Sequence, residues 1–143
     1  MRVRVYYEDT DCGGIVYHTN YIKYCERARS EVFFRAGALP SSGTCGFVVS
    51  TIEAKFLGFA RLGDVLEVRT QVQKLGKVQV VLRQRIYKLP GSALDSSLDS
   101  IAPSEMCIFE AIVRLGYVDV VGQSPAQIPE EFLALLSTLE TIS

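Results

Sequence analysis

The chain has 143 residues, of which 48% are hydrophobic and 22% charged, and its formal net charge is −1. This length and composition predict one globular domain over residues 1–143, and the near-neutral charge argues against a nucleic-acid surface. The apolar runs fall far short of the ~20 residues that span a bilayer. Because residues 2–8 are strand-like and charged, neither a secretory segment nor membrane insertion is expected, and the expected location is cytoplasmic.

The four cysteines and the single histidine argue against a metal centre. Cys12, Cys25, Cys45 and Cys107 form no C-x-x-C pair, and His18 is the only imidazole in the chain. This spacing favours neither a zinc site nor a disulfide framework. We therefore expect no metal or other cofactor, and reduced thiols that are mostly buried as small hydrophobic residues.

In the first third of the chain, a strand pattern is followed by a helix pattern. Residues 2–8 alternate in the manner of a strand, and Gly13-Gly14 marks residues 9–14 as a loop. A helix is predicted over residues 18–36, with Gly37 suited to end it and Arg29 among the charged residues away from its apolar face. That face recurs at steps of three and four residues: Tyr21, Tyr24, Cys25, Ala28, Val32 and Ala36.

Four further strands are predicted, at residues 47–59, 65–74, 78–86 and 107–115. Their short links indicate an antiparallel meander, apart from a Ser/Asp/Pro-rich hairpin loop at residues 90–104. A short terminal helix is predicted from Pro129, because proline suits a first turn and acids follow it. The inward-facing rows are predicted to be Leu66, Val68, Thr70 and Val72; Val78, Val80, Leu82 and Ile86; and Cys107, Phe109, Ala111, Val113 and Leu115.

The order of these elements indicates the fold class. A strand, a long helix, four strands and a short helix do not alternate as a doubly wound fold requires. The sequence therefore predicts an α+β fold, in which a five-stranded antiparallel sheet wraps one long central helix and a short C-terminal helix follows.

A cluster of polar residues precedes the predicted long helix. The stretch YYEDTDCGGIVYHTNYIKYCERARSE places three acids, Glu8, Asp9 and Asp11, ahead of two glycines and His18. The first turn of a helix carries unpaired backbone N–H groups and a partial positive charge, which stabilise an anion or a developing oxyanion. A carboxylate of Asp11 facing this end suits attack on a carbonyl, either as the nucleophile or as the general base for a water.

Structural explanations of the same residues remain open. Acids before a helix commonly serve as caps and turn formers, and a lone histidine there is usually a surface or capping residue. Cys12 suggests a cysteine hydrolase with His18 as its base, but no local motif supports that pairing.

The same stretch resembles the motif of the hot-dog-fold acyl-CoA thioesterases of the YbgC and 4-hydroxybenzoyl-CoA thioesterase type. That motif has the form D-x-D-x-x-G-x-V-Y-H-x-N-Y followed by E-R-A-R. The chain also contains FLGFARLGDVLEVRT, which is similar to the family's segment entering its third strand. The likeness covers nearly the whole chain, excludes residues 90–104 and is loose beyond about residue 129. The motif positions are occupied by Asp9, Asp11, Gly14, Val16, Tyr17, His18, Asn20 and Tyr21, with residues 26–29 as the tail.

The resemblance implies a hot-dog fold and roles for particular residues. Asp11 would be the catalytic carboxylate, the backbone N–H of His18 would polarise the thioester carbonyl, and the His18 side chain and Tyr7 would line the pocket. The substrate-binding residues implied by the motif are Gly14, Val16, Tyr17 and Asn20. The candidates for binding the phosphates of coenzyme A, unless they are only solvated surface charges, are Lys55, Arg61, Lys74 and Lys77.

The resemblance also implies partners. The substrate would be acyl-CoA with a short-chain or aromatic acyl group, and acyl carrier protein is an alternative carrier. Two subunits would pair edge to edge with active sites at their interface, and such dimers often pair again as tetramers.

Two other functions remain open: a hydratase or dehydratase of acyl thioesters, and a weakly catalytic or non-catalytic binding protein for acyl-CoA or acyl carrier protein at the cell envelope. Cys12 departs from the small residue or proline common at its position.

Overall fold

The computed structural model describes residues 1–90 and 105–141, with side chains up to residue 139. The predicted loop at residues 90–104 lies outside the described residues, except for Pro90. Within the described residues there are two helices, α1 (His18–Phe34) and α2 (Glu130–Ser137), and a 3-10 turn at Tyr7–Asp9. The strands are β1 (Arg2–Arg4), β2 (Ser41–Ser42), β3 (Cys45–Phe56), β4 (Val65–Leu75), β5 (Gln79–Lys88), β6 (Met106–Asp119), β7 (Ser124–Pro125) and β8 (Glu140–Thr141).

The strands form one sheet in the order β1–β4–β5–β6–β3–β2, with β7 beside β6 and β8 beside β4. In the antiparallel β1–β4 pair, Val3 lies opposite Leu66. The predicted adjacency of β4, β5 and β6 is confirmed, and the short β8 pairs in parallel with β4. The sequence predicts five strands. The additional β2, β7 and β8 have two residues each, too few to produce an alternating pattern.

The first strand is shorter than predicted and ends at Arg4 rather than at residue 8. The chain turns at Asp9, whose amide donates to the carbonyl of Tyr6 at 3.0 Å. The Asp9 carboxylate in turn accepts a hydrogen bond from the Tyr6 amide at 2.9 Å. Local hydrogen bonding by an aspartate therefore outweighs the alternating pattern at this point.

The long helix α1 ends at Phe34, two residues before the predicted end. The Gly37 amide donates to the Phe34 carbonyl at 2.9 Å and the Ala38 amide to the Phe33 carbonyl at 3.0 Å, which is a Schellman arrangement. Gly37 has a φ of +75°, a left-handed conformation that favours glycine, so its predicted role is confirmed. Ala36 lies beyond the helix and is exposed, so its predicted place on the apolar face is wrong, and Phe33 is buried instead.

The strand β5 has a polar residue in its buried row. Gln84 is 0% exposed, donates from Nε2 to the Thr70 hydroxyl at 3.0 Å and accepts from the Arg29 guanidinium at 2.9 Å. Val78 precedes the strand and is 41% exposed, so its predicted inward position is wrong. The other predicted members of this row are buried: Val80, Leu82 and Ile86.

The predicted rows of the neighbouring strands are largely confirmed. Thr70 and Cys107 are half-buried rather than buried. The expectation that the thiols are mostly buried is wrong, because Cys12 is exposed and only Cys25 is fully buried among the four free cysteines. The confirmed inward residues are Leu66, Val68 and Val72 in β4, and Phe109, Ala111, Val113 and Leu115 in β6.

Contacts divide the chain into two units. The first comprises Met1–Ala28, Ala54–Arg69 and Arg85–Glu110. In it the buried rings of Tyr21 and Phe109 pack together, and the exposed ring of Phe56 lies against both. The second comprises Arg29–Glu53, Thr70–Gln84 and Ala111–Ser143, and its core contains the packed rings of Phe33, Phe47, Tyr117 and Phe132. Over the described residues, neither helix has the length and apolar composition that a membrane crossing requires.

Candidate active site

Asp11 begins a tight hairpin loop in the first unit. Thr10 pairs with Val16 across the hairpin, and the Asp11 amide donates to the Ile15 carbonyl at 2.9 Å. The Gly14 amide donates back to the Asp11 carbonyl at 3.1 Å, and Gly14 has a φ of +78°. A three-residue loop of this kind needs a residue in the left-handed region, which explains glycine at this position.

The Asp11 carboxylate is held by its own turn. Its Oδ1 accepts a hydrogen bond from the Gly13 amide at 2.8 Å, the usual Asx-turn contact. In the part of the chain that the structure describes, Oδ2 has no hydrogen-bond partner, and the side chain is exposed. Asp11 therefore forms a turn, as one of the two explanations of the sequence holds, and its second carboxylate oxygen stays accessible.

The helix α1 begins at His18, directly after the hairpin. The Tyr17 amide donates to the Asp9 carbonyl at 2.9 Å, and the Asn20 amide donates to the Tyr17 carbonyl at 2.9 Å. Within residues 1–90 and 105–141, no acceptor pairs with the His18 N–H, as is usual for the first turn of a helix. This amide also lies at the positive end of the helix dipole.

A cavity of about 210 Å³ opens beside these groups. Asp11, Val16 and His18 line it, so the structure brings these three predicted site residues together. Its other walls are mainly aromatic, with the His18 ring 6.0 Å from that of Phe56. The remaining lining residues are Ile15, Tyr21, Gly58 and Phe59.

Tyr21 forms a wall of the cavity and does not serve as its base. The side chain is 2% exposed, and its hydroxyl accepts a hydrogen bond from the Ala60 amide at 3.0 Å. Burial raises the pKa of Tyr21 above its usual value. The phenol is therefore neutral at physiological pH, and Asp11 is the only acid that lines this cavity among the described residues.

The structure places the other residues of the motif outside the cavity lining. Tyr7 is 80% exposed in the 3-10 turn, and Tyr17 is also exposed. Asn20 is buried and bonded to the backbone, and Gly14 serves the hairpin loop. Cys12 is exposed and is not part of the lining either. The substrate-contacting roles of these residues stay predictions.

The four candidate cations also lie outside the lining of this cavity. The backbone of Arg61 pairs with that of Ile15, which lines the cavity. Lys55 precedes the lining residue Phe56 along the chain and is exposed. Lys74 and Lys77 are exposed residues of the second unit. Their role in binding phosphates stays a prediction.

The sequence pattern does not predict the wall formed by Phe56, Gly58 and Phe59. The amides of Leu57 and Gly58 both donate to the Ile108 carbonyl, at 2.8 and 3.1 Å, which is the pattern of a β-bulge. A Cβ on Gly58 would lie 3.1 Å from Ile108 Cγ2, so a larger residue does not fit there without a shift. The available signal was a glycine between two phenylalanines at the end of a strand, a place where bulges redirect side chains.

The described residues contain no group of three or more histidine, cysteine or acidic side chains arranged to hold a metal ion. Asp11, His18 and the aromatic side chains are among the groups that line the cavity.

Known proteins share this sequence and this fold. The family model described as the thioesterase superfamily matches residues 13–94. The acyl-CoA thioesterase YbgC of Helicobacter pylori (strain J99) is 48% identical over 139 residues, which cover 97% of this chain and 100% of that protein. The acyl-CoA thioester hydrolase YbgC of Escherichia coli O157:H7 is 34% identical over 136 residues, which cover 92% of this chain and 90% of that one.

Solved structures agree with these matches. A hypothetical protein of Thermus thermophilus superposes with a TM-score of 0.73 at 29% identity, covering 98% of each chain. A 1,4-dihydroxy-2-naphthoyl-CoA thioesterase of Synechocystis superposes with a TM-score of 0.78 at 16% identity, covering 96% of this chain and 93% of that one, which shows a shared fold. The predicted hot-dog fold is thereby confirmed, and the chain belongs to the thioesterase superfamily and, within it, to the YbgC family of thioester hydrolases.

Proposed function

We propose that this chain hydrolyses the thioester bond of acyl-CoA, with Asp11 as the catalytic carboxylate and the His18 N–H as the oxyanion donor. The observation that carries the proposal is the cavity that both Asp11 and His18, the first residue of α1, line. The names of the relatives in Helicobacter pylori and Escherichia coli support the same activity.

The proposed reaction uses two features of the site. The accessible oxygen of Asp11 attacks the thioester carbon directly, or removes a proton from a water that attacks it. The carbonyl oxygen then becomes an oxyanion, which accepts a hydrogen bond from the His18 N–H at the positive end of the helix. When the C–S bond breaks, coenzyme A leaves as a thiolate and takes up a proton. In the direct route, water then hydrolyses the acyl anhydride on Asp11.

The acyl group is proposed to be a short chain or an aromatic ring. The cavity of about 210 Å³ is smaller than the roughly 300–1,000 Å³ pockets that enclose drug-sized ligands. Its walls include the rings of Tyr21, Phe56 and Phe59, which suit planar or compact apolar groups. For the phosphates of coenzyme A, Arg61 and Lys55 are the proposed cations of the first unit, with Lys74 and Lys77 as further candidates.

A homo-oligomer of single-domain chains, dimeric or a dimer of dimers, is also proposed. Among the described strands, β2 covers only Cys45 and Gly46 on the outer side of β3, which leaves the rest of that strand as an open edge. This edge exposes Val48, Val49 and Phe56. An open apolar edge favours pairing with a second copy. Light scattering of the purified chain tests this, and a monomer at micromolar concentration contradicts it.

The central test of the proposed function is Asp11→Asn. An amide neither attacks the thioester nor accepts a proton from water, yet it keeps the shape of the side chain and an oxygen for the Gly13 amide. We expect turnover to fall by at least about 100-fold, in line with losing a general base, with little change in the thermal unfolding midpoint. The measurement is release of free thiol from acyl-CoA.

Cys12→Ala is the matched control for that test, because it changes the next residue of the same loop. It is expected to keep near wild-type turnover. Full activity of Asp11→Asn would overturn the proposed mechanism, and loss of activity in Cys12→Ala together with sensitivity to thiol reagents would favour a cysteine nucleophile.

The acyl group is tested with a panel of acyl-CoA substrates assayed by thiol release. Short-chain and benzoyl-type thioesters are expected to be hydrolysed faster than long-chain ones. Uniformly negligible rates with tight binding would favour a binding protein, whereas formation of an enoyl thioester without free thiol would indicate a dehydratase.

A further inference from the structure

The side chain of Asn20 is buried away from the cavity and bonded to the backbone. It is 8% exposed and donates from Nδ2 to the Asp9 carbonyl at 2.8 Å. We infer that Asn20 is a positioning residue, which holds the hairpin that carries Asp11 against the start of α1, and that it does not bind substrate. This inference rests on the proposed function, because the groups that it positions are Asp11 and the His18 N–H.

A single carbonyl connects the two halves of the site. The Asp9 carbonyl accepts both the Asn20 side chain and the Tyr17 amide, the latter at 2.9 Å. Asp9 lies two residues before Asp11, and Tyr17 lies one residue before His18. Beside the bonds within the hairpin, this carbonyl constrains the carboxylate relative to the helix amide, because the Asn20 side chain links the first turn of α1 to Asp9.

Asp9 is held from its other side as well. Its carboxylate accepts the Tyr6 amide at 2.9 Å, and its own amide donates to the Tyr6 carbonyl at 3.0 Å. Tyr24 is fully buried, and burial followed by the negative charge of Asp9 raises the pKa of Tyr24 well above its usual value. Because these contacts hold Asp9 in place, we expect loss of the Asn20 hydrogen bond to shift the start of α1 and the hairpin loop that carries Asp11.

The kinetic consequence differs from that of a substrate contact. A shift of about 1 Å between reacting groups can cost on the order of 100-fold in rate. Such a shift lowers kcat and leaves KM nearly unchanged, whereas loss of a ground-state contact raises KM. For Asn20→Ala, we expect kcat to fall about 10- to 100-fold with KM within about twofold of wild type.

A second variant tests the hydrogen bond itself. In Asn20→Asp, the introduced carboxyl group donates to the Asp9 carbonyl only when protonated, and burial raises its pKa. The ratio of its kcat to that of the wild type is therefore expected to rise as pH falls, while the same ratio for Asn20→Ala stays flat. Dividing by the wild-type rate at each pH removes the pH dependence that the two enzymes share.

Gln84→Ala is the matched control, since it removes a buried amide that is bonded within the second unit. It is expected to lower the thermal midpoint and to keep kcat per folded molecule. A raised KM with unchanged kcat in Asn20→Ala overturns the inference, as does a ratio for Asn20→Asp that does not respond to pH. Absence of turnover that depends on Asp11 in the wild-type chain overturns the proposed function, and the inference with it.

Discussion

At the scale of single residues, Asp11 combines two roles that a sequence cannot separate. Its Oδ1 closes an Asx-turn with the Gly13 amide, as turn-forming acids commonly do. The same carboxylate lines a cavity next to the start of a helix. The motif alone indicates both explanations, and only the packing of the hairpin against α1 makes them compatible.

His18 raises the complementary question of whether its ring or its backbone matters. The ring lies 4.7 Å from that of Tyr17 and 6.0 Å from that of Phe56, which are packing contacts. We expect His18→Ala to keep turnover within about tenfold of wild type, because it retains the backbone N–H that is proposed to bind the oxyanion, and the loss of an oxyanion donor typically costs about 100- to 1,000-fold.

His18→Pro is the matched variant, because it removes the N–H at a position where helices accept proline. Tyr17 precedes the helix and so tolerates the extended backbone that proline imposes on its neighbour. This variant is expected to lose about 100- to 1,000-fold in kcat when thiol release is measured. Equal losses in the two variants would show that the imidazole is needed as well.

At the scale of elements, the sequence predicts regular segments well and their ends poorly. Most of the apolar face of α1 and of the rows of β4 and β6 follows from periods of 3.6 and 2, and the structure confirms it with exceptions that include Ala36, Thr70 and Cys107. The ends depend on local hydrogen bonds. Asp9 stops β1 early, and consecutive amides bonded to the Ile108 carbonyl turn the chain after β3. Neither contact leaves a periodic pattern, so neither end was predictable.

The end of α1 provides a test at this scale. A non-glycine residue in the left-handed region costs about 1–2 kcal/mol, and asparagine tolerates it better than alanine. Gly37→Ala is therefore expected to lower the free energy of unfolding by about 1 kcal/mol and Gly37→Asn by less, as measured by urea denaturation. Because Gly37 is not part of the cavity lining, turnover is expected to stay unchanged. Equal stability of Gly37→Ala and wild type would contradict the left-handed conformation at this residue.

At the scale of the whole molecule, the prediction of the cavity residues is most accurate for residues that are close together in the sequence. Asp11, Val16 and His18 lie within eight residues and meet at one cavity. The wall formed by Phe56 and Phe59 joins them from about forty residues away, through a bulge against β6. Pairing between distant segments depends on register, which one sequence does not reveal.

The stability of the chain is expected to depend on acid through Arg69. Its guanidinium bonds to Glu67 at 2.8 Å and to Glu105, and lies 4.0 Å from the ring centre of Tyr87. Hydrogen bonds from Arg69 lower the pKa of Glu67 and of Glu105. Carboxylates with a lowered pKa in the folded state stabilise it above their unfolded pKa of roughly 4.3, and this contribution disappears as pH falls through the folded value.

Arg69→Met is the corresponding test. Because the side chains of Arg69 and Glu105 are partly exposed, we expect the variant to be only slightly less stable than wild type at pH 7. The difference is expected to shrink as pH falls through the lowered pKa values of Glu67 and Glu105. Urea unfolding at several pH values measures it, with the exposed Lys23→Met as a charge-matched control. A difference that is the same at every pH would show that Arg69 acts through packing on Tyr87 alone.

The hydrogen bond from the Gly13 amide orients the Asp11 carboxylate during folding rather than during substrate binding. The rotational freedom of this side chain is lost when the chain folds, so substrate binding does not have to supply the entropy of orienting it. The loop that orients it also closes within five residues, so its contacts are among the most local in the molecule. Under the proposed function, the hydrogen bond therefore restricts the Asp11 carboxylate before a thioester binds.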